Sequence, residues 1–441
     1  MRALVYGLAV AGASTVRALQ LRGWDVITGD DVATEERAAT AARLGVDLLD
    51  APDTETLRSV LAECDVLSPA PGIPEHHRVI EAARITGTEI VSEIELAYRW
   101  EQERPGGPRP MLAVTGTDGK TTTTLMTVAM LRAAGLSTID AGNTETPLVD
   151  AIDDDHDAFV VECTSFRLAW THRFRAEAAA WLNLAPDHLN WHASMDTYEA
   201  AKARIWAAQG PDDAAIAFTG APAVMRRLRD ARGRHLTFGP GGDYRLDGTQ
   251  LVGPAGPIAA TGAMRRSLPH DITNALAASA MVLESGLADP GAIERALADF
   301  TGPAHRLERL GALDGVEWYN DSKATTPHAA AVAIHAFDDI VLIAGGKDKH
   351  VDLAEMAVEP HRVRAVVAIG ETRDAVAEAF AGVAVVETTE FLPSAVERAV
   401  ELARPGTTLL LSPGCASLDQ YRSFEARGDH FRELAHQQGV R

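Results

Sequence analysis

Short apolar runs alternate with helical patterns along the whole chain. The N-terminal part opens with an apolar run at 3–6, continues with a helical pattern to about Arg22, and reaches a second apolar run at 24–27. Four further apolar runs, separated by helical patterns, lie towards the C-terminus at 340–344, 365–369, 384–387 and 408–411. Buried strands that alternate with helices are typical of parallel sheets. The pattern therefore predicts an α/β protein.

Two breaks in this pattern divide the chain. Residues 101–110 hold three prolines, two glycines and no apolar residue, which indicates a linker. A second break lies at Phe-Thr-Gly-Pro, residues 300–303. A length of 441 residues is expected to give about three domains. We therefore predict domains at 1–105, 106–302 and 303–441.

The central domain begins with the most informative stretch of the chain. An apolar run at 111–114 leads into Thr-Gly-Thr-Asp-Gly-Lys-Thr-Thr-Thr-Thr at 115–124, and a helical pattern follows. Backbone N–H groups at the start of such a helix point at anionic oxygens, and the helix dipole favours the same charge. Lys120 can reach the outer phosphates of a nucleotide, and the Thr121 hydroxyl can bind magnesium. An ordinary strand–turn–helix junction is the alternative interpretation.

Neither glycine-rich turn of the chain has the usual spacing. The first glycine of a common P-loop would fall at Val114, whereas the glycine is Gly116, so this loop is shorter. Near the N-terminus, Ala9 stands where the middle glycine of a dinucleotide-binding turn belongs. That turn is a weak signal, and it leaves a nucleotide-binding oxidoreductase open as an alternative from another class.

Other polar residues follow apolar runs or border helical stripes. Glu162 and His188 come after the apolar runs at 158–161 and 178–184, and ligands of open α/β sheets bind beyond the carboxyl ends of strands. A carboxylate supplies the hard oxygen that magnesium prefers, while a charged strand end and a structural histidine are the ordinary alternatives. Lys202 borders the apolar stripe of a predicted helix. Its amine either reaches water or is partly desolvated, with a lowered pKa.

Three further polar stretches are candidates for ligand contact. Asn274 begins a helical pattern and is either a cap or a ligand contact. Residues 320–325 and 345–349 follow apolar runs, and each stretch is either a ligand-facing loop or an ordinary turn. The glycines and lysines of 345–349 suit a carboxylate or a phosphate.

Composition argues against several classes of protein. Acidic residues outnumber basic ones by 62 to 41, for a net charge of −21, which argues against non-specific binding to nucleic acids or anionic membranes. Cys64, Cys163 and Cys415 are far apart, which fits a reducing compartment without a disulfide framework. No apolar run is long enough to span a bilayer, and no signal-peptide pattern is present. We expect a cytoplasmic, monomeric protein with no nucleic-acid partner and no membrane insertion.

Taken in order, these motifs resemble those of the Mur ligase family over essentially the whole chain. The resemblance rests on 116–122, 142–144, Glu162 with Ser165 and Phe166, Asp187 with His188, 198–202, His305 with Arg306, 320–325 and 345–346. The most discriminating stretch is Leu-Ser-Pro-Gly-Cys-Ala-Ser-Leu-Asp-Gln-Tyr at 411–421, followed by Phe-Glu-Ala-Arg-Gly at 424–428. That block is similar to the branch of the family that adds glutamate.

The resemblance implies a function and a layout. The reaction would be ATP-dependent ligation of D-glutamate to UDP-N-acetylmuramoyl-L-alanine through an acyl phosphate, in peptidoglycan precursor synthesis. The cofactors would be ATP and Mg²⁺, with a carbamate on Lys202. The N-terminal domain would be a Rossmann-like UDP-binding domain, the central one a P-loop ATPase-type α/β domain, and the C-terminal one a Rossmann-like domain. A relative that adds L-glutamate is the close alternative.

The resemblance also implies residue roles. The catalytic residues would be Lys120, Glu162, His188 and Lys202. ATP would contact Gly116, Thr117, Asp118, Gly119, Lys120, Thr121, Thr122, Asn274, Arg306 and Asp321. Magnesium would be held by Thr121, Glu162, His188 and the carbamate of Lys202. The UDP-sugar would contact Val10, Asp31, Gly72 and Asn143. Glutamate would contact Lys323, Thr325, Lys349, Ser417, Leu418 and Phe424.

This chain departs from the family pattern at several positions. Asp118 stands where the phosphate loop usually has asparagine, and Arg167 stands where glutamine is common. A carboxylate near phosphates is unfavourable unless it turns outward or is paired with a cation. No arginine neighbours Asp31 along the chain as in some members.

Overall fold

The computed structural model describes residues 1–348, 351–383 and 385–441. Among these residues the strands form four sheets, and the α/β class predicted from the apolar runs is confirmed. The chain divides into two compact units, unit 1 at 1–300 and unit 2 at 301–441. Within the described part of the chain, no helix combines the length and the apolar character needed to cross a membrane.

Unit 1 opens with a five-stranded parallel sheet. Its strands are β1 (Arg2–Tyr6), β2 (Asp25–Asp30), β3 (Leu48–Asp50), β4 (Val66–Pro69) and β5 (Glu89–Ile90). Its helices are α1 (Val10–Leu21), α2 (Glu35–Leu44), α3 (Thr54–Leu61), α4 (Arg78–Thr86) and α5 (Glu93–Gln102). The strand order is β3-β2-β1-β4-β5. Side chains of Thr34, Asp53 and His77 accept backbone N–H groups at the starts of α2, α3 and α4, so these helices begin at capping residues.

A six-stranded parallel sheet forms the centre of unit 1. Its strands are β6 (Met111–Thr115), β7 (Thr138–Gly142), β8 (Ala158–Glu162), β9 (Ala178–Trp181), β10 (Ala214–Phe218) and β11 (Arg234–Phe238). The helices of this region are α6 (Lys120–Ala133), α7 (Leu148–Ala151), α8 (Ser165–Leu168), α9 (Met195–Ala203) and α10 (Pro222–Leu228). The order β11-β10-β9-β6-β8-β7 places β6 between β9 and β8.

The last elements of unit 1 cover one face of the central sheet. A small antiparallel sheet contains β12 (Arg245–Asp247), β13 (Gln250–Gly253) and β14 (Gly256–Ala260). Two helices follow it, α11 (Pro269–Glu284) and α12 (Pro290–Asp299). Along β6, Met111 and Ala113 face the core shared with the first sheet, whereas Leu112 and Val114 face the core beneath α6 and α11. Burial on both faces explains why the parallel strands read as continuous apolar runs.

The predicted linker at 101–110 is held by a buried ion pair. Helix α5 continues into it as far as Gln102. An Nη atom of Arg109 lies 2.8 Å from a carboxylate oxygen of Glu101, and both side chains are buried. Arg109 also donates to the carbonyls of Ile152 and Asp154, at 2.6 and 2.7 Å. These bonds attach the linker to the central part of unit 1.

Unit 2 contains a six-stranded sheet in which one edge strand is antiparallel. Its strands are β15 (Glu308–Leu313), β16 (Val316–Asn320), β17 (Ile340–Gly345), β18 (Val363–Ile369), β19 (Val385–Thr388) and β20 (Thr408–Leu411). Its helices are α13 (Pro327–His335), α14 (Arg373–Ala379), α15 (Leu392–Leu402) and α16 (Phe424–Gln438). The order β15-β16-β20-β17-β18-β19 puts β16, β20 and β17 side by side, and only β15 runs antiparallel among these strands.

A buried carboxylate fastens α5 to the central region. Glu95 is fully buried and accepts the backbone N–H groups of His172, Arg173 and Phe174 at 2.8–3.0 Å. Its other oxygen accepts from Arg99 Nε at 2.8 Å. Three consecutive amides therefore depend on one side chain.

We expect Glu95→Ala to lower the free energy of unfolding of unit 1 by about 3 kcal/mol or more, because it leaves buried donors and a cation without their acceptor. Denaturant unfolding followed by tryptophan fluorescence measures this, since six of the seven tryptophans lie in unit 1. The control is Glu89→Ala, which removes the more exposed carboxylate partner of the same Arg99 and should cost below about 1 kcal/mol. Equal losses in the two variants would contradict the prediction.

Candidate active site

The carboxyl ends of four neighbouring strands bring most of the predicted residues of unit 1 together. The phosphate loop at 116–119 follows β6, and Glu162 ends β8. Asn143 follows β7, and the segment 182–188 follows β9. Because these strands are parallel neighbours, their following segments lie along one edge of the sheet.

The phosphate loop is held against α11. Gly119 has a φ of +83°, and a Cβ atom there would lie 2.8 Å from Asn274 Oδ1 and 3.1 Å from Leu182 Cδ1. Glycine at 119 therefore permits both the backbone conformation and the close approach of Asn274. Asn274 is buried in the second turn of α11, which begins at Pro269. The interpretation of Asn274 as a helix cap is therefore wrong, and its side chain touches the loop.

Asn183, which the sequence analysis did not select, braces the same loop. Its Oδ1 accepts the backbone N–H groups of Thr117 and Asp118, at 2.8 and 2.9 Å. Its Nδ2 donates to the Asp118 carbonyl at 3.2 Å, and its own carbonyl accepts from Trp181 Nε1 at 3.0 Å. The first loop amides therefore bind Asn183, which leaves the amides at the start of α6 as the groups to face an anion. Only the proximity of β9 to β6 reveals this role.

Two lysines converge on one carbonyl of the loop. Lys120 Nζ donates to the carbonyls of Gly116 and Thr117 at 3.0 and 2.8 Å. Lys202 Nζ donates to the same Gly116 carbonyl at 2.6 Å and lies 4.7 Å from the centre of the Tyr198 ring. Tyr198 in turn places its hydroxyl 3.1 Å from Thr117 Oγ1. Helix α9 thus joins the phosphate loop through Lys202 and Tyr198.

Lys202 is buried, with 2% of its surface exposed, so the interpretation that its amine reaches water is wrong. Burial lowers the pKa of Lys202 well below its ordinary value, and the nearby Lys120 charge lowers it further. The carboxylates of Asp187 and Asp118 act on this pKa in the opposite direction. Asp118 therefore lies where it offsets positive charge, and the lowered pKa of Lys202 favours the neutral amine that nucleophilic chemistry requires.

Glu162 presents one satisfied and one unsatisfied oxygen. Its Oε1 accepts from Asn143 Nδ2 at 2.9 Å, whereas its Oε2 is buried and lacks a hydrogen-bond partner among the described residues. Asn143 Oδ1 accepts from Arg167 Nη1 at 2.8 Å, and Arg167 Nε lies 2.9 Å from a Glu93 oxygen. This chain of contacts orients Glu162, and the unpartnered oxygen fits a hard cation. Arg167 therefore acts on the position of Glu162 through Asn143.

His188 lies beside the same cluster. It has a φ of +56°, and its ring packs edge-on against Phe166 with centroids 4.7 Å apart. Desolvation lowers the pKa of His188, the Asp187 carboxylate opposes this shift, and the charge of Lys120 acts in the same direction as desolvation. The net shift favours the neutral ring. In the described part of the chain, no three His, Cys, Asp or Glu side chains gather as a metal-binding cluster. Any cation here would therefore take further oxygens from substrate phosphates or water.

His192 is a second residue that the sequence analysis missed. Its ring is buried, with Nε2 2.9 Å from Ser165 Oγ and Nδ1 3.3 Å from a Glu75 oxygen. Glu75 also accepts the backbone N–H of Ala193 at 2.7 Å. The turn after β4 is thereby bonded to the segment after β9. His192 is recognised as part of the site only through its contact with Glu75, which lies far away in sequence.

Three of the four positions predicted to face the UDP-sugar lie at the carboxyl edge of the first sheet, whereas Asn143 follows β7 of the central sheet. Val10 is exposed at the start of α1 and lines a cavity of about 340 Å³ together with Arg17, Arg37 and Arg43. Asp31 accepts from Tyr6 Oη and from Arg78 Nη2, each at 2.8 Å, and lies 3.0 Å from His77 Nε2. Gly72 lies in the exposed turn after β4. The arginine that is missing beside Asp31 in sequence is thus supplied by α4.

In unit 2 most of the predicted residues that the structure describes follow two neighbouring strands, β16 and β20. Asp321, Lys323 and Thr325 follow β16, Ser417 and Leu418 follow β20, and Phe424 begins α16. Lys323 Nζ lies 5.8 Å from the centre of the Phe424 ring. Ser417 is buried, whereas Leu418 is 67% exposed. Lys349 lies outside the described residues.

The nucleotide candidates of unit 2 lie at the same edge of its sheet. Asp321 is buried, accepts the Leu307 N–H at 3.1 Å and accepts from Ser412 Oγ at 2.7 Å. Arg306 lies between His305 and Leu307, which both have positive φ values, of 60° and 45°. Asp321 thus holds the turn that carries Arg306.

The fold and the site together define an α/β protein with a candidate nucleotide-phosphate site at the carboxyl edge of a parallel sheet. Residues 114–282 match the family model of the Mur ligase middle domain, and residues 305–415 match that of the Mur ligase glutamate ligase domain. The chain belongs to the Mur ligase family. The resemblance drawn from the motifs is therefore confirmed.

Curated relatives match nearly the whole chain. The chain is 39% identical to the UDP-N-acetylmuramoylalanine–D-glutamate ligase of Frankia casuarinae, over 97% of this chain and 92% of that protein. It is 38% identical to the ligase of the same name from Myxococcus xanthus, over 98% and 97%. The corresponding ligase of Aquifex aeolicus is 33% identical, over 98% of both chains.

Solved structures share the fold at lower identity. The UDP-N-acetylmuramate-alanine ligase of Thermotoga maritima aligns with a TM-score of 0.58 at 17% identity, over 99% of both chains. A MurF structure from Acinetobacter baumannii aligns with a TM-score of 0.59 at 18% identity, over 99% of this chain and 92% of that one. These likenesses support the α/β architecture.

We predict that Asn183→Ala weakens nucleotide binding about tenfold or more, because it leaves two loop amides without their acceptor. Titration with an ATP analogue, followed by calorimetry, gives the dissociation constant. Asn190→Ala removes an exposed asparagine from the same segment and is the matched control. An unchanged dissociation constant for a folded Asn183→Ala protein would show that the brace is dispensable.

Proposed function

We propose that this chain catalyses the ATP-dependent ligation of D-glutamate to UDP-N-acetylmuramoyl-L-alanine, an ADP-forming step of peptidoglycan precursor synthesis. The observation that carries the proposal is the desolvated Lys202 amine, which lies on the phosphate loop near Lys120. The shared name of the curated relatives, across nearly the full chain, supports the substrates. Membership of the Mur ligase family argues against the alternative that the chain is a nucleotide-binding oxidoreductase.

The reaction has two steps, and both place negative charge on phosphoryl oxygens. A carboxylate oxygen of the alanyl group attacks the γ-phosphorus of ATP, the bond to the bridging oxygen breaks, and ADP leaves. The glutamate amine then attacks the acyl carbon, loses a proton and expels phosphate. Positioning and cationic stabilisation dominate such chemistry. Lys120 and the backbone of 116–122 are placed to hold the phosphates.

The residues present fit magnesium ions. Thr121 and Glu162 would hold one ion, and Glu162, His188 and a carbamate on Lys202 would hold a second. The unpartnered Oε2 of Glu162 is a suitable hard oxygen. When bound, magnesium neutralises charge on the phosphate oxygens. A carbamate forms when the neutral Lys202 nitrogen bonds to the carbon of carbon dioxide and gives up a proton. Burial of Lys202 lowers the pKa of its amine and so favours the neutral form that this step needs.

The remaining assignments follow the three proposed domains. Residues 1–105 form a Rossmann-like domain that binds the UDP-sugar through Val10, Asp31 and Gly72, and Asn143 of the central domain is a further contact of the UDP-sugar. Residues 106–302 form the P-loop-type domain, with Gly116 to Thr122 and Asn274 at ATP. Residues 303–441 form a Rossmann-like domain with Arg306 and Asp321 at the nucleotide and with Lys323, Thr325, Lys349, Ser417, Leu418 and Phe424 at glutamate. A cytoplasmic location and a monomeric state stay predictions.

The choice of glutamate isomer gives a direct test. With ATP, magnesium and UDP-N-acetylmuramoyl-L-alanine, we expect phosphate release with D-glutamate and little with L-glutamate. The assay follows phosphate and the ligated product for each isomer separately, with a no-glutamate reaction as the blank. Turnover with L-glutamate alone would replace the D-isomer assignment by that of the L-glutamate-adding relative.

The role of Lys202 gives a second test. We expect Lys202→Ala to lose nearly all activity, and a short carboxylic acid such as acetate to restore part of it by replacing the carbamate oxygens. Carbon-13 NMR of the wild-type protein in labelled bicarbonate should show a carbamate resonance that Lys202→Ala lacks. An active Lys202→Ala enzyme without added acid would rule out the carbamate.

A further inference from the structure

The second turn of α16 contains an arginine that the proposed mechanism does not use. Arg427 is 1% exposed, the most deeply buried arginine among the described residues. Its Nε donates to Ser322 Oγ at 3.0 Å, and one Nη donates to the Ser322 and Cys415 carbonyls at 2.9 and 3.2 Å. The other Nη donates to the Ala416 carbonyl at 3.3 Å. All these acceptors are neutral oxygens.

Other buried arginines of the described residues are each paired with an acid. Arg167 lies 2.9 Å from Glu93, and Arg266 lies 2.6 Å from Asp271. Within the described residues, Arg427 forms no such ion pair. Desolvation lowers the pKa of Arg427 to about 10. Burying a cation without an acidic partner costs free energy. The presence of a guanidinium among these neutral acceptors therefore calls for an explanation.

The acceptors of Arg427 belong to the segments that carry the proposed glutamate contacts. Ser322 precedes Lys323 in the loop after β16, and Cys415 and Ala416 precede Ser417 in the loop after β20. The Ala416 carbonyl also accepts the Lys347 N–H, at 2.8 Å, from the loop after β17.

The hydrogen bonds around the Arg427 guanidinium also include the start of α16. Ser322 Oγ, which accepts from Arg427, donates to the Phe424 carbonyl at 2.8 Å. The Gly346 position leaves no room for a side chain, because a Cβ atom there would lie 2.2 Å from the Ala416 carbonyl oxygen and 3.1 Å from Arg427 Nη1. One planar guanidinium therefore fixes the spacing of the loops after β16 and β20 directly, and that of the β17 loop through Ala416.

We propose that Arg427 is a positioning residue that aligns the three loops of the glutamate pocket, and that it acts without touching glutamate itself. The inference rests on the proposed function. The forked guanidinium of Arg427 is required because a lysine, with a single nitrogen, cannot reach Ser322, Cys415 and Ala416 together. The pocket for the glutamate that reacts in the second chemical step is thus aligned by a residue that the first step does not need.

Steady-state kinetics of Arg427→Lys and Arg427→Met test the proposal. We expect the KM for D-glutamate to rise about tenfold or more, the effect of losing hydrogen bonds of a charged group, while the KM values for ATP and the UDP-sugar stay within about twofold. The matched control is Arg432→Met on the same helix, which removes a partly exposed arginine paired with Glu308 and Asp429. Full recovery of the glutamate KM in Arg427→Lys would contradict the role of the fork.

The first chemical step separates alignment from general damage. Reduction of the acyl phosphate with borohydride, in the absence of glutamate, should trap as much product in the Arg427 variants as in the wild type. An equal loss in trapping and in turnover would mean that the unit is simply destabilised, and would overturn the proposal. If the Arg427 variants fail to fold, Ser322→Ala removes one acceptor and should raise the glutamate KM in the same selective way, whereas an unchanged KM would overturn it. A wild-type protein that uses neither glutamate isomer would instead refute the proposed function.

Discussion

The Gly116 carbonyl accepts hydrogen bonds from both Lys120 and Lys202, and the rest of the candidate site depends on this interaction. It fixes α9 against the loop that follows β6, and it holds two amines close together in a buried place. Proximity of like charges and loss of water both favour a neutral Lys202. The same contact thereby shapes the phosphate loop and prepares the amine for the carbamate that the proposed mechanism requires.

Buried polar groups fix the positions of loops and helices, which the apolar cores alone do not specify. The cores of unit 1 stack the sheets, but a hydrophobic contact is not directional. Direction comes from side chains that satisfy several backbone groups at once, as Glu95 does at 172–174 and Asn183 does in the phosphate loop. Each of them would leave several donors unsatisfied if removed, which is why their positions are strongly constrained.

The two units use the same design with different residues. In each, loops that follow neighbouring parallel strands form the candidate site, and one side chain outside the proposed substrate contacts holds those loops in place. Asn183 has this part in unit 1, and Arg427 has it in unit 2. Neither residue needs to touch a substrate, since a loop that is held in place has already lost the conformational entropy that binding would otherwise cost.

The amino-acid sequence alone determined the α/β class, the strands at 340–344, 365–369 and 408–411, and the phosphate loop, because these depend on local periodicity and on short motifs. It also placed Glu162 at a strand end. It left open whether Asn274 caps a helix and whether Lys202 reaches water, and it overlooked Asn183, His192 and Arg427. Only the tertiary structure decided these points. The partners of these residues lie in other segments of the chain, often 65 or more positions away, as for Asn183 with Asp118 and Lys202 with Gly116. Burial, and with it the pKa of an amine or the role of an amide, is a property of that three-dimensional neighbourhood and leaves no periodic mark along the chain.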